Sequence, residues 1–255
     1  MSEEGNMDLA SFFKENPEAA IGFSGGVDSS YLLYAAVRYA KRVRAYYVKS
    51  AFQPAFELLD ARRLAAFAGA KMTVLPADIL SFPEVAANPG NRCYFCKKQI
   101  FGTIAAAAQR DGFHLLCDGT NASDAEDDRP GMRALKEMNV LSPLRLAGLT
   151  KTRIRKLSKE AGLFTWDKPA YACLATRIPE NVPITEELLV RVESAENILF
   201  DLGFRDFRVR VFHGAARIQL SKEDFGKAFM LRNEIEEKLK AYFSPVLLDL
   251  SVRRT

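Results

Sequence analysis

Histidine, tryptophan and charge of one sign are all in short supply here. The chain has two histidines and one tryptophan in 255 residues, and its 36 Lys and Arg nearly balance its 32 Asp and Glu. The +4 that remains suits an anionic small molecule and is too weak to argue for a nucleic-acid coat. No apolar run approaches membrane-spanning length. The start, Met1-Ser2-Glu3-Glu4-Gly5, lacks the basic-then-apolar order of a signal peptide. The expected compartment is therefore the cytoplasm, where structural disulfides are rare and four cysteines need another explanation. Without a spaced His pair or a second Cys-x-x-Cys, a four-ligand zinc site has no obvious donors. What is present, 48% hydrophobic and 27% charged residues, describes a globular chain able to bury a core in one large domain or two smaller ones.

The most informative stretch is Ser24-Gly25-Gly26-Val27-Asp28-Ser29. An apolar run, Ala19 to Phe23, precedes it and a helical pattern, Tyr31 to Arg42, follows. Strand, tight turn and helix make an anion site, because the first helical turn has unpaired N–H groups and the positive end of a dipole. Gly25 and Gly26 let the backbone approach a ligand. Ser24 and Ser29 add hydroxyl donors, and Asp28 is suited to hold a Mg2+ that bridges phosphates. No Gly-Lys-Ser/Thr closes the loop, so it is not a Walker A motif. It resembles the pyrophosphate (PP) loop of the ATP pyrophosphatases, which cleave ATP between the α- and β-phosphates. The bland alternative is a glycine turn that merely caps a helix.

Along the chain, Met7 to Glu15 reads as a short amphipathic helix. Val43 to Val48, Lys71 to Leu75 and Phe113 to Cys117 read as further strands, with a helix over Pro54 to Gly69. Strands alternating with helices predict an α/β fold with a doubly wound parallel sheet. Ligands of such sheets sit beyond the C-terminal strand ends, where the Ser-Gly-Gly loop and the stretch from Asp118-Gly119 to Asp124 would lie. That stretch and Asp127 to Gly131 are rich in turn formers and are expected to be loop. A capped basic helix, Lys151 to Ala161, leads to a linker, Phe164 to Asn181. A smaller C-terminal α/β domain should follow, with helices over Thr185 to Leu202 and Glu223 to Ala241. Its strands are expected at Phe207 to Phe212, Ala216 to Leu220 across a His213-Gly214-Ala215 turn, and Val246 to Val252. The predicted domains are 1–180 and 181–255.

Cys93 and Cys96 form a Cys-x-x-Cys pair at the start of a helix, a spacing shared by redox motifs, half zinc sites and parts of iron–sulfur sites. Cys173 lies in the linker between Lys168 and Arg177, and nearby cations favour a reactive thiolate. Cys117 sits inside an apolar strand as a core residue, and His114 reads as a core or rim residue. That leaves Cys93, Cys96 and Cys173 as candidate ligands. Three thiolates on a cubane cluster leave one iron open, able to hold a sulfide for delivery.

Four features occur in this order: the Ser24–Ser29 loop, Asp118-Gly119 with Asp128-Arg129-Pro130-Gly131, Cys173-Leu174-Ala175-Thr176-Arg177, and Phe207-Arg208-Val209-Arg210. Together they resemble the LarE family, ATP-dependent sulfur transferases that help build the nickel-pincer nucleotide cofactor of lactate racemase. The resemblance implies an adenine nucleotide alpha hydrolase-like, PP-loop fold. It implies ATP, Mg2+ and a small-molecule substrate, pyridinium-3,5-biscarboxylic acid mononucleotide, whose carboxylate is adenylylated and then converted to a thiocarboxylate. It also implies a homo-oligomer, trimer or hexamer, with substrate near a subunit interface. Family members draw sulfur either from a sacrificed cysteine, left as dehydroalanine, or from a 4Fe-4S cluster on three cysteines. With Cys93, Cys96 and Cys173 all present, the cluster type is expected here, and sacrifice of Cys173 is the alternative.

By the same resemblance, Gly119 and Arg129 contact nucleotide or substrate, Arg208 and Arg210 hold the substrate phosphate, and Thr176, Arg177 and Glu196 line the substrate site. Lys97 reaches a phosphate or is simply solvated. On residues alone, Arg208 and Arg210 share a strand face that is more often just a solvated basic surface. The competitors are a tRNA-thiolating PP-loop enzyme, an amide-forming synthetase of the NAD or GMP synthetase kind, and an ATP-sensing scaffold.

Overall fold

A computed structural model describes residues 8–124 and 130–253; Asp127, Asp128 and Arg129 of the acidic stretch lie outside the described residues. In chain order the elements are α1 (Leu9–Glu15), β1 (Glu18–Gly22), α2 (Val27–Tyr39), β2 (Arg42–Lys49), α3 (Ala55–Phe67), β3 (Lys71–Pro76), the short α4 (Pro83–Ala86) and α5 (Arg92–Arg110). There follow β4 (Leu116–Cys117), α6 (Pro130–Glu137), α7 (Pro143–Leu146), α8 (Lys151–Glu160), α9 (Glu186–Asp201), β5 (Phe207–Phe212), β6 (Ala215–Leu220), α10 (Phe225–Met230), α11 (Arg232–Leu239) and β7 (Val246–Leu248). These form two compact units. One runs to Ile79 and from Asn91 to Lys168; the other takes Leu80–Gly90 and the chain from Pro169 onward.

The first unit is built on a four-stranded parallel sheet in the order β3-β2-β1-β4. Alternation along β2 explains why helices cover both faces. Ala45 and Tyr47 point into a core with Phe12, Phe13, Leu32, Leu33, Leu64 and Ile154, from α1, α2, α3 and α8. Tyr46 and Val48 point the other way, onto Ile104, Ala107 and Ala108 of α5. A strand buried on both faces reads as a continuous apolar run, which Ala19-Ala20-Ile21 is. The doubly wound α/β expectation therefore describes this unit.

Two local expectations are corrected here. The strand expected over Phe113 to Cys117 shrinks to Leu116–Cys117, because the Phe113 N–H is spent on the Ala108 carbonyl at 2.8 Å in the exit turn of α5. Pro130 and Gly131, expected in loop, open α6 instead; proline is at home in a first helical turn, where its missing N–H costs nothing. Cys117 is fully buried as expected, and that burial pushes its thiol up.

The second unit holds a mixed sheet in the order β5-β6-β7: β5 and β6 pair antiparallel, β7 joins β6 in parallel. The hairpin turn is His213-Gly214 alone, with φ of 49° and 83°, so Ala215 pairs with Phe212 and belongs to the strand. Leu189, Val192, Ala195, Glu196 and Leu199 of α9 form one buried face, and Phe200 packs on Phe207 at 4.7 Å. The helix expected over Glu223 to Ala241 is broken at Leu231: α10 buries only Ala228, whereas α11 buries Ile235 and Leu239. The last strand ends at Leu248 because Asp249 turns the chain, accepting the Ser251 N–H at 3.0 Å and the Gln219 amide at 2.9 Å. Residues 80–90 belong to this unit through Asn88, whose side-chain amide donates to the carbonyls of Pro179 at 2.7 Å and Val182 at 3.1 Å. Among the described residues no helix is long and apolar enough to cross a membrane.

Candidate active site

In the first unit β1 runs through Phe23 into the Ser24–Ser29 turn and α2. Gly25 takes φ +74°, and a Cβ there would come within 3.2 Å of the Ala61 backbone, so only glycine fits. Gly26 caps α2 with no side-chain hydrogen bond, which leaves first-turn N–H groups available to an anion. The Ser24 and Ser29 hydroxyls lie 3.0 Å apart, and Ser29 Oγ donates to the Gly26 carbonyl at 3.2 Å, tying the turn closed. Gly119, after β4, is where the second loop touches the first: a Cβ would meet the Ser29 nitrogen at 2.8 Å.

Asp28 sits in the first turn of α2 with only part of its side chain exposed, its Oδ2 2.5 Å from Lys151 Nζ at the start of α8. Its other oxygen, Oδ1, is buried and has no hydrogen-bond partner among the described residues. Burial lifts this carboxyl above its usual value; the Asp124 charge adds to the lift, and Lys151 and Arg155 oppose it. Asp118, by contrast, is fully used, accepting from the Thr120 hydroxyl and from Ser142 Oγ at 2.6 Å. The loop beyond it is held by Arg145, which donates to the Asp124 carbonyl, and by the Lys151 N–H, which donates to Ser123 Oγ at 3.0 Å.

Cys93 and Cys96 fall in the first turns of α5, three residues apart and so on neighbouring positions of one helix surface. Cys93 is exposed and Cys96 half-buried; the largely buried Arg92 donates to Cys93 Sγ at 3.8 Å. Lys97, a turn further on, places its ammonium 5.3 Å from the centre of the Phe101 ring. Cys117 keeps to the core. Within either unit no three His, Cys, Asp or Glu side chains among the described residues gather as a metal site.

The second unit concentrates guanidinium. Arg177, 1% exposed, donates to both oxygens of the equally buried Glu196, at 2.8 and 3.1 Å. Its other arm donates to the carbonyls of Ala172 at 2.8 Å and Cys173 at 3.3 Å and to the Thr176 hydroxyl at 2.9 Å. Glu196 also accepts the Tyr171 hydroxyl and the Val209 N–H at 3.0 Å. Cys173, half-buried, caps a 3₁₀ turn over Leu174–Arg177, and its carbonyl accepts from Thr176 N–H and hydroxyl as well as Arg177. Arg208 donates to the Ala170 carbonyl, and Arg210 to the Thr176 carbonyl at 2.5 Å and to Gln219 at 2.5 Å. Both Arg177 and Arg208 lie over the Tyr171 ring, at 4.5 and 4.9 Å.

Charge in this cluster does not balance. Glu196, Asp206 and Asp249 face Arg177, Arg208, Arg210, Arg217 and Arg253. Burial, then the charges of Arg177 and Arg253, push Arg208 down to about 10, and burial with the same neighbours lowers Arg210. Burial also works against Arg177, yet the Glu196 carboxylate outweighs it and Arg177 is raised. An anion would relieve Arg208 and Arg210, whereas Arg177 is already neutralised.

Sequence reasoning named Asp28, the glycines, Arg208 and Arg210, but not Lys151, Tyr171, Arg217 or Arg253. Lys151 follows the capping Thr150 and so signalled only a helix start. The others come from distant stretches that no spacing rule connects.

No family model matches the chain. An uncharacterized protein of Synechocystis sp. is 39% identical to it over 218 residues, 84% of this chain and 81% of that protein. An uncharacterized protein of Methanocaldococcus jannaschii is 29% identical over 242 residues, 94% of this chain and 92% of that one. A third relative, from Lactiplantibacillus plantarum, carries the name pyridinium-3,5-bisthiocarboxylic acid mononucleotide synthase and is 31% identical over 245 residues, 95% of this chain and 89% of the synthase. Likeness of that degree, running through both units and nearly the whole of both proteins, means that the chain belongs to the LarE family.

Proposed function

We propose that the protein is an ATP-dependent sulfurtransferase that turns a carboxylate of pyridinium-3,5-biscarboxylic acid mononucleotide into a thiocarboxylate, in the making of the nickel-pincer nucleotide cofactor. One observation carries the reading: a chain related over 95% of its length to a pyridinium-3,5-bisthiocarboxylic acid mononucleotide synthase contains both a PP-loop-like turn and a cluster of under-neutralised arginines. In this reading the first unit is a PP-loop ATP pyrophosphatase domain. The second, with the arginines, binds substrate and assembles the homo-oligomer, trimer or hexamer.

The chemistry needs two displacements. A substrate carboxylate oxygen attacks the α-phosphorus of ATP, and pyrophosphate leaves with the electron pair of the broken P–O bond. The free N–H groups of α2 and the Ser24 and Ser29 hydroxyls bind the departing phosphates. A sulfur nucleophile then attacks the acyl carbon, and AMP departs. Arg208 and Arg210 hold the substrate phosphate throughout. Mg2+ fits the residues present, since Asp28 Oδ1 is a buried oxygen without a partner among the described residues; bound there it would neutralise phosphate charge. Cys93, Cys96 and Cys173 are the thiols that would hold a 4Fe-4S cluster, which when bound would carry the sulfur to be transferred.

A second reading is favoured by Arg177, whose guanidinium donates to the Cys173 carbonyl at 3.3 Å and places a cation beside that cysteine. In it Cys173 gives up its own sulfur and is left as dehydroalanine. Incubation with ATP, Mg2+ and the mononucleotide tests the proposal. AMP, pyrophosphate and a thiocarboxylate product are expected; intact ATP would sink it. Mass spectrometry of Cys173 after turnover separates the two sulfur sources.

A further inference from the structure

We propose that Lys151 is a built-in stand-in for the divalent cation: it closes the metal position on Asp28 while no nucleotide is bound, and moves to the phosphates when nucleotide and metal arrive together. The inference rests on the ATP reading given above.

Several features converge on this lysine. Its ammonium lies 2.5 Å from Asp28 Oδ2, the carboxylate at the first turn of α2, in the position a metal would compete for. The second oxygen, Oδ1, is buried and has no hydrogen-bond partner among the described residues, where Lys151 satisfies only half of the carboxylate. A carboxylate whose side chain is only 21% exposed is better held with a cation against it than alone. Lys151 supplies one from inside the chain. About a third of its side chain is exposed, so the ammonium is free to leave on its flexible stem. Its backbone, in contrast, is fixed. Thr150 caps α8 by accepting the Arg153 N–H at 3.3 Å, and the Lys151 N–H donates to Ser123 Oγ at 3.0 Å. Only the side chain needs to move, and these anchors survive any replacement of it other than proline.

A lysine in this position has two consequences. Without nucleotide, a divalent cation must displace an ammonium from the carboxylate and binds weakly. With nucleotide, the ammonium has phosphate oxygens to go to, so metal and triphosphate enter as one ion pair and the lysine adds a contact to the phosphates.

Mn2+ titration of the full-length protein, followed by electron paramagnetic resonance, tests the first consequence, and calorimetric titration with a non-hydrolysable ATP analogue in excess Mg2+ tests the second. In Lys151→Met, Mn2+ binding to the nucleotide-free protein is expected to tighten about tenfold or more, while analogue binding weakens by a similar factor. Lys151→Arg, which keeps the cation, should hold Mn2+ binding near the wild-type level. Mn2+ affinity that is unchanged or weaker in Lys151→Met overturns the stand-in role, and unchanged analogue affinity overturns the move to phosphate. A wild-type protein that binds no nucleotide refutes the ATP reading instead, and the Mn2+ comparison still decides the role of Lys151 at Asp28.

Discussion

The two units meet negative charge in different ways. The first relies on helix N–H groups, two serine hydroxyls and a single matched pair, Asp28 with Lys151, both partly exposed. The second relies on guanidinium groups that outnumber their carboxylates, Arg177 and Arg208 among them buried, with Arg208 only 4% exposed and pushed down to about 10. The first arrangement suits a ligand that brings its own cation and must leave again, as pyrophosphate does. The second suits an anion held throughout a reaction, because charge already desolvated during folding need not be desolvated again on binding. Within the second unit the contrast repeats: Arg177 is spent on Glu196 and on the backbone around Cys173, whereas Arg208 meets Asp206 only at 3.9 Å and Arg210 donates to a carbonyl and an amide.

Breaking the buried pair should have the largest effect. Glu196→Ala leaves Arg177 charged and unpaired and is expected to cost about 3–5 kcal/mol in urea unfolding. Asp60→Asn, which removes the partially exposed partner of Lys168 (2.7 Å), should cost under about 1 kcal/mol. Equal costs would erase the distinction between built-in and surface charge. Next comes Asp28→Asn, expected to slow pyrophosphate release about 10²–10³-fold with the far-ultraviolet circular dichroism unchanged. Undiminished release would remove this carboxylate from the chemistry. Arg210→Ala should raise the KM for the mononucleotide roughly tenfold, about the worth of one charged hydrogen bond, and leave that for ATP alone. A rise for ATP instead would mean that the division of labour is wrong.

The smallest effect is one of pH. A carboxyl raised in the folded state binds its proton more tightly there than in the unfolded chain, so its ionisation costs stability as pH rises through the carboxylate range. Removing it by Asp28→Asn should leave the protein at least as stable as wild type at pH 7.5, with the difference shrinking on acidification toward pH 4 as measured by thermal melts. A variant that is markedly less stable at pH 7.5 would show that Lys151 more than offsets the burial.

Legibility followed distance along the chain. The Ser24–Ser29 turn, the strands of the parallel sheet and the Thr185-led helix were readable because each rests on local rules: glycine conformations, apolar runs and caps. The break at Leu231 and the late start of β4 were not: the fold settled which residues α10 and α11 bury and how far the exit turn of α5 holds Phe113. Arg177 and Glu196 were named from the sequence as substrate groups; only the fold reveals that each satisfies the other. The pairing of Lys151 with Asp28 spans 123 positions and left no trace in spacing.

By itself, the amino-acid sequence determined the alternation of strand and helix and the glycine turn that opens α2, because hydrophobic period and backbone freedom act over a few residues. Tertiary structure alone decided which charges are neutralised. Whether an arginine is spent or available, and whether a carboxylate oxygen is left without a partner, depends on what the fold brings within about 3 Å of it.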